Sequence, residues 1–196
     1  KALEAEDAAV FFGRETPLIR AQDMLRRMEA SGEQFFVILG ASGAGKSSFI
    51  RAGLWPRLKR DDLHFLPLPV IRPERAAITG QTGLVESLEK TFHELKVPKA
   101  RAKLRDTLAT SNGLIDLLTE LQVLAQKRLA PDAALPTVVI CLDQAEELFG
   151  KERGEEAGEF LNLLGKLMGH VSGEQSSAAQ TMARVMVLAA IRSDSY

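Results

Sequence analysis

Residues 40–47 read Gly-Ala-Ser-Gly-Ala-Gly-Lys-Ser, directly after the apolar run Phe35, Phe36, Val37, Ile38, Leu39 and directly before a helical stretch. No other feature constrains the fold as much. A strand has to enter and a helix has to leave, while the glycines let the backbone curl so that successive N–H groups point inward at an anion. The spacing is the complete Walker A pattern, G-x-x-x-x-G-K-[ST], in the strand-to-helix context that the motif requires. Its chemistry assigns Lys46 to the β- and γ-phosphates of a nucleoside triphosphate and the Ser47 hydroxyl to magnesium. Ser42, Gly43, Ala44, Gly45 and Ser48 complete the candidate nucleotide-binding set.

Hydrophobic periodicity places the other elements around this turn. Thr16–Pro17 reads as an N-cap followed by a first-turn proline, and Leu18, Ala21, Leu25 and Met28 then recur at helical spacing up to Ser31–Gly32. The run at 35–39 predicts a strand buried on both faces, and a helix is predicted over 46–58. Residues 65–71 predict at best an edge strand, because Pro67 and Pro69 cannot donate to a ladder. Helices are predicted over 84–97 and 99–130, broken near Pro98 and at Asn112–Gly113. Residues 137–142 predict a second doubly buried strand, followed by a short helix holding Glu146 to Phe149 and a longer one over 155–171. Residues 172–180 read as a polar loop, and 184–191 as the last strand, ending at Arg192. Buried strands alternating with helices imply one α/β domain: a three-layer P-loop sandwich on a mostly parallel sheet.

A triphosphate site needs an acid opposite its loop. Asp143 follows the second buried strand, and ligands gather at the carboxyl ends of parallel strands, which makes it the candidate Walker B magnesium ligand. An Asp there would also serve as a helix N-cap. Gln144 follows it where many ATPases have Glu. Glu146, Glu147 or the neutral Gln144 could orient an attacking water, although acidic residues also favour a helix N-terminus for its dipole alone. Arg192 ends the last strand, where a cation could sense a γ-phosphate or serve only the surface.

Composition excludes several classes. Lys and Arg total 25 against 26 Asp and Glu, so no global field marks a nucleic-acid binder. The basic residues Arg57, Lys59, Arg60, Arg101, Lys103 and Arg105 read as solvated helix faces, with no aromatics interleaved. The single cysteine, Cys141, rules out an intrachain disulfide and suits a reduced, cytoplasmic setting. No apolar stretch approaches the length of a membrane span. His64, His93 and His170 lack metal-ligand spacing. Val171-Ser-Gly-Glu-Gln175 mimics a transporter signature but follows the Walker B strand instead of preceding it. The guanine-reading Asn-Lys-x-Asp is absent. The chain opens on Lys1 and stops at Tyr196 directly after a strand, which reads as an excerpt of a larger protein.

Five blocks in order carry a family likeness: Phe-Phe-Gly-Arg-Glu at 11–15, the loop through Ser48, Ala-Gly-Leu-Trp-Pro-Arg-Leu at 52–58, Asp-Gln-Ala-Glu-Glu-Leu-Phe at 143–149 and Ile-Arg-Ser-Asp-Ser-Tyr at 191–196. Together they resemble the novel STAND NTPases, signal-transduction ATPases with numerous domains, over nearly the whole chain. The resemblance implies a slowly hydrolysing ATP switch with ATP and Mg2+ as cofactors, joined to effector and sensor domains in one polypeptide and prone to nucleotide-dependent self-assembly. It places Phe12, Gly13 and Arg14 against the adenine and makes Arg192 the sensor arginine. It also implies a strand lying between those of Walker A and Walker B, with a fifth strand and a lid that this chain does not reach. The alternatives are a conventional P-loop kinase or hydrolase acting on a small acceptor, for which no acceptor pocket is legible, and a non-catalytic nucleotide-binding scaffold.

Overall fold

Helix α1 (Glu15–Ser31) follows from Leu18, Ala21, Leu25 and Met28, which share one stripe and are all buried. The computed structural model describes residues 15–129, 132–150, 153–172 and 184–193. Thr16, expected as the N-cap, lies inside the first turn, because the helix already includes Glu15. Pro17 is tolerated there, since a first-turn N–H has no partner within the helix. At the other end Gly32 takes φ +77°. Its N–H bonds the Glu29 carbonyl while the Glu33 N–H bonds that of Met28, the paired closure that a left-handed residue permits.

Strand β1 (Phe35–Gly40) leads through the glycine loop into α2 (Lys46–Ser48), a π-helical segment (Phe49–Leu54) and α3 (Trp55–Arg60). The sequence predicted one α-helix here. Pro56 supplies the reason for the difference: it has no N–H to give the carbonyl one turn back, and its ring crowds that carbonyl. The widened turn relieves the clash, and the Trp55 N–H bonds Ile50 O, five residues back.

Strand β2 (Phe65–Pro67) is short and lies at an edge, as its prolines require. Helices α4 (Leu84–Glu94), α5 (Arg101–Leu108) and α6 (Gly113–Gln126) follow, broken near Pro98 and at Asn112–Gly113 as expected. A Cβ on Gly113 would meet Thr107 O at 1.7 Å, so the α5–α6 turn closes only around glycine. Next come β3 (Thr137–Leu142), a 3-10 turn (Ala145–Leu148), α7 (Ala157–Ser172) and β4 (Val185–Arg192). The predicted loop at 172–180 begins inside α7 at Ser172 and otherwise lies outside the described residues.

Among the described residues the sheet has four strands in the order β1-β4-β3-β2, every pair parallel. The strand expected between those of Walker A and Walker B is therefore β4. Alternate residues of the central strands feed two cores. Val138, Ile140, Leu142, Val185, Val187 and Ala189 pack with the helices α4–α7. Val139, Cys141, Met186, Leu188 and Ala190 pack with α1, the π segment and α3. That period of two makes the three layers. The expectation that β1 is doubly buried is corrected: Phe36 and Ile38 join the α1 core, but Phe35, Val37 and Leu39 are exposed at 54%, 47% and 64%. An edge position explains it, since among the described residues no helix covers the second face of β1. Among the described residues no helix is long and apolar enough to cross a membrane.

The loop before α4 is fixed from afar. The Glu156 carboxylate accepts hydrogen bonds from the backbone N–H of Ile78 (2.6 Å) and Thr79 (2.8 Å) and from the Thr79 hydroxyl. Partial burial pushes its carboxyl up, but these donors and the Arg105 charge outweigh that and hold it below the ordinary glutamate value. A depressed carboxyl stabilises the fold above its unfolded value and loses that contribution as pH falls through the folded one. Glu156→Gln is expected to cost about 1–2 kcal/mol at pH 7 in urea denaturation, with the gap to wild type closing below about pH 4. A gap that does not change with pH would contradict this.

Candidate functional site

The loop owes its shape to two glycines. Gly43 and Gly45 take φ +75° and +80°, the left-handed region that side chains disfavour. Space is not the constraint at Gly43, where a Cβ would meet nothing within 4 Å. The Ala44 N–H bonds Ala41 O at 3.2 Å to close the turn, and Phe49 N–H bonds Gly45 O at 2.9 Å to start the helix. Lys46 folds back over the loop, its Nζ donating to Gly40 O (2.7 Å) and Ala41 O (2.8 Å). The ammonium is thus held where the loop's own carbonyls compensate it.

Strand β3 delivers Asp143, only 3% exposed, to the same place. Ser47 Oγ donates to its Oδ1 at 2.8 Å across a separation of 96 residues. Arg51 Nε donates to Oδ2 at 3.1 Å. Sequence reading missed Arg51. The available signal was its spacing of four from Ser47, which puts both on one side of the helix. The N-cap alternative for Asp143 is not what the structure shows: the residue preceding the 3-10 turn is Gln144, at φ 57° and ψ 47°, and no side chain caps that turn.

The two glutamates part company. Glu147 accepts from Arg72 (3.2 Å) and from the Glu74 N–H (2.8 Å), contacts 73–75 residues away in sequence and invisible to any local pattern. Glu146 Oε2 accepts from the Arg192 N–H at 3.2 Å, which ties the 3-10 turn to the end of β4. Gly40 and Arg192 are register partners, so the ends of β1, β3 and β4 converge. Between them lies a cavity of about 440 Å3. Ser42, Gly43, Gly45, Lys46, Ser47 and Ser48 line one side, and Asp143, Gln144, Glu146, Glu147 and Arg192 line the other. Ala44 sits in the loop but does not line the cavity. Phe12, Gly13 and Arg14 lie outside the described residues.

This arrangement can cradle a chain of phosphates against backbone N–H groups and Lys46. Its hard oxygen donors, the Ser47 hydroxyl and the Asp143 carboxylate, fit magnesium, which takes one or two protein ligands and completes its shell with water and substrate phosphate. Among the described residues no group of three or more His, Cys, Asp or Glu could hold a metal by itself. The surface cations expected as solvated faces include Lys59, paired with Glu94 at 2.9 Å, and Arg101, bound to Glu86 and Glu89.

A glycine loop and a buried strand-end acid, meeting across a parallel α/β sandwich, define a P-loop NTPase-like domain. Comparison with protein families carries this further: the description Novel STAND NTPase 1 matches residues 1–196, the whole chain, and the protein belongs to that family. No curated protein matches it.

Cys141, two residues before Asp143, reports on the strand that carries it. Burial pushes its thiol up to about 12. Iodoacetamide at pH 8 is expected to leave native protein unmodified and to alkylate it fully in guanidinium chloride. Rapid native labelling would mean that β3 is not buried.

Proposed function

We propose that this domain binds Mg-ATP in the cavity between the glycine loop and β3, hydrolyses it slowly, and acts as a nucleotide-dependent switch. The observation that carries the proposal is the Ser47–Asp143 hydrogen bond: the hydroxyl and the acid that would share the ion's coordination already face each other at 2.8 Å. Lys46, released from the Gly40 and Ala41 carbonyls, would exchange those bonds for β- and γ-phosphate oxygens. Magnesium, when bound, neutralises charge on the phosphate oxygens. Hydrolysis would add water across the terminal anhydride to give ADP and inorganic phosphate. Glu146 is the residue proposed to orient that water, since Glu147 is turned to Arg72 and Glu74 and Gln144 is the neutral alternative. Arg192, at the cavity wall, would stabilise charge on the transferred phosphoryl group. Phe12, Gly13 and Arg14 would meet the adenine, as family likeness implies. Membership of a STAND family also supports effector and sensor domains in the same polypeptide and assembly controlled by the bound nucleotide.

Two measurements test this. Lys46→Ala is expected to weaken a fluorescent ATP analogue about 10- to 150-fold, the loss of about 1.5–3 kcal/mol of charge-assisted contact, while GTP competes less well than ATP in wild type. Unchanged affinity would end the phosphate-loop assignment.

Glu146→Gln is expected to keep ATP affinity within about twofold and to slow single-turnover hydrolysis about 10²–10⁴-fold, the usual range for a lost general base. Normal hydrolysis by this variant would transfer the role to Gln144 or Glu147. No hydrolysis by wild type, alone or in its full-length assembly, would leave a binding scaffold.

A further inference from the structure

Asp143 has a charged partner before any ligand arrives. Its side chain is 4% exposed, that of Arg51 is 18% exposed, and they meet at 3.1 Å. A carboxylate this deep needs compensation, and a guanidinium supplies it at every pH a folded protein meets. Ser47 and Arg51 take one oxygen each, so the two donors fix the plane of the carboxylate as well as its charge.

Arg51 is also built into place. It is the one incompletely buried residue of the π segment, flanked by Ile50 and Ala52, both at 0% exposure. Its spacing of four from Ser47 puts both side chains on the side of the helix that meets Asp143.

We infer that Arg51 is an internal counter-cation that keeps a divalent ion off Asp143 until a nucleotide arrives, so that metal and triphosphate enter together. The inference rests on the nucleotide reading above. An ion held by Ser47 and Asp143 lies beside a fixed positive charge, and among the described residues no group of three or more His, Cys, Asp or Glu stands there to offset it. Phosphate oxygens supply both the missing ligands and the negative charge that overcomes the guanidinium. Arg51 thus acts through Asp143 as a positioning residue.

Mn2+ is the probe, titrated into nucleotide-free protein and followed by the electron paramagnetic resonance of the free ion. Arg51→Gln is expected to bind Mn2+ at least about tenfold more tightly than wild type, the low end of coupling between close charges. Arg51→Lys, which keeps the charge, should stay near wild type, and adding Asp143→Asn to Arg51→Gln should abolish the gain. Equal affinity in wild type and Arg51→Gln, or a gain that survives Asp143→Asn, overturns the inference. If Arg51→Gln does not fold, Arg51→Met decides by the same measurement and the same outcomes. Wild type must also take up Mn2+ with a non-hydrolysable ATP analogue beyond what the analogue alone chelates, and no such excess overturns the idea. Failure of the nucleotide reading looks different: the fluorescent ATP analogue itself then does not bind.

Discussion

The site exists because β4 lies between β1 and β3. A parallel sheet directs every carboxyl end to one rim, and this strand order brings Gly40, Asp143 and Arg192 to the same stretch of it. The hydrogen bond from Ser47 to Asp143 then joins the first strand's loop to the third strand's end over the top of β4. Remove the central pairing and the loop keeps its glycines but loses its acid. The two cores serve the same end. Alternate side chains of β3 and β4 lock into helices on both faces, so the rim sits on strands buried from both sides.

Much of this could be read from the sequence because local chemistry dictates it. Gly43 and Gly45 are where the backbone turns left-handed, as a phosphate-loop pattern implies. The five consecutive apolar residues of β3, and Thr137 before them, are all buried, as a continuous run should be. The prolines near β2 keep it short and at the edge. The same rule misjudged β1, whose equally apolar run lies, among the described residues, at the other edge with one face exposed. Composition tells how apolar a strand is. Only the strand order tells how many neighbours cover it.

The parts of the site that were not legible are long-range or depend on helix geometry. Nothing near Glu147 in the sequence announces Arg72 or the Glu74 N–H, and so nothing separated it from Glu146. Arg51 was hidden differently. It lies in a stretch already assigned to a helix, among residues chosen for packing, and its partner is 92 residues away. The spacing from Ser47 was visible, but its meaning depended on where β3 would end.

The π segment has a consequence for how the chain tolerates length. One wide turn advances the helix out of phase with its own beginning, by about 100° for each residue beyond ordinary α geometry. Lys46 and Ser47 before it are oriented to the rim, whereas Leu58 beyond it is oriented to the core. The helix is in effect two rods spliced with a deliberate rotational offset. Deleting a single residue between Phe49 and Leu54 would turn the second half by about 100° against the first, so that the two could no longer both face what they were made for.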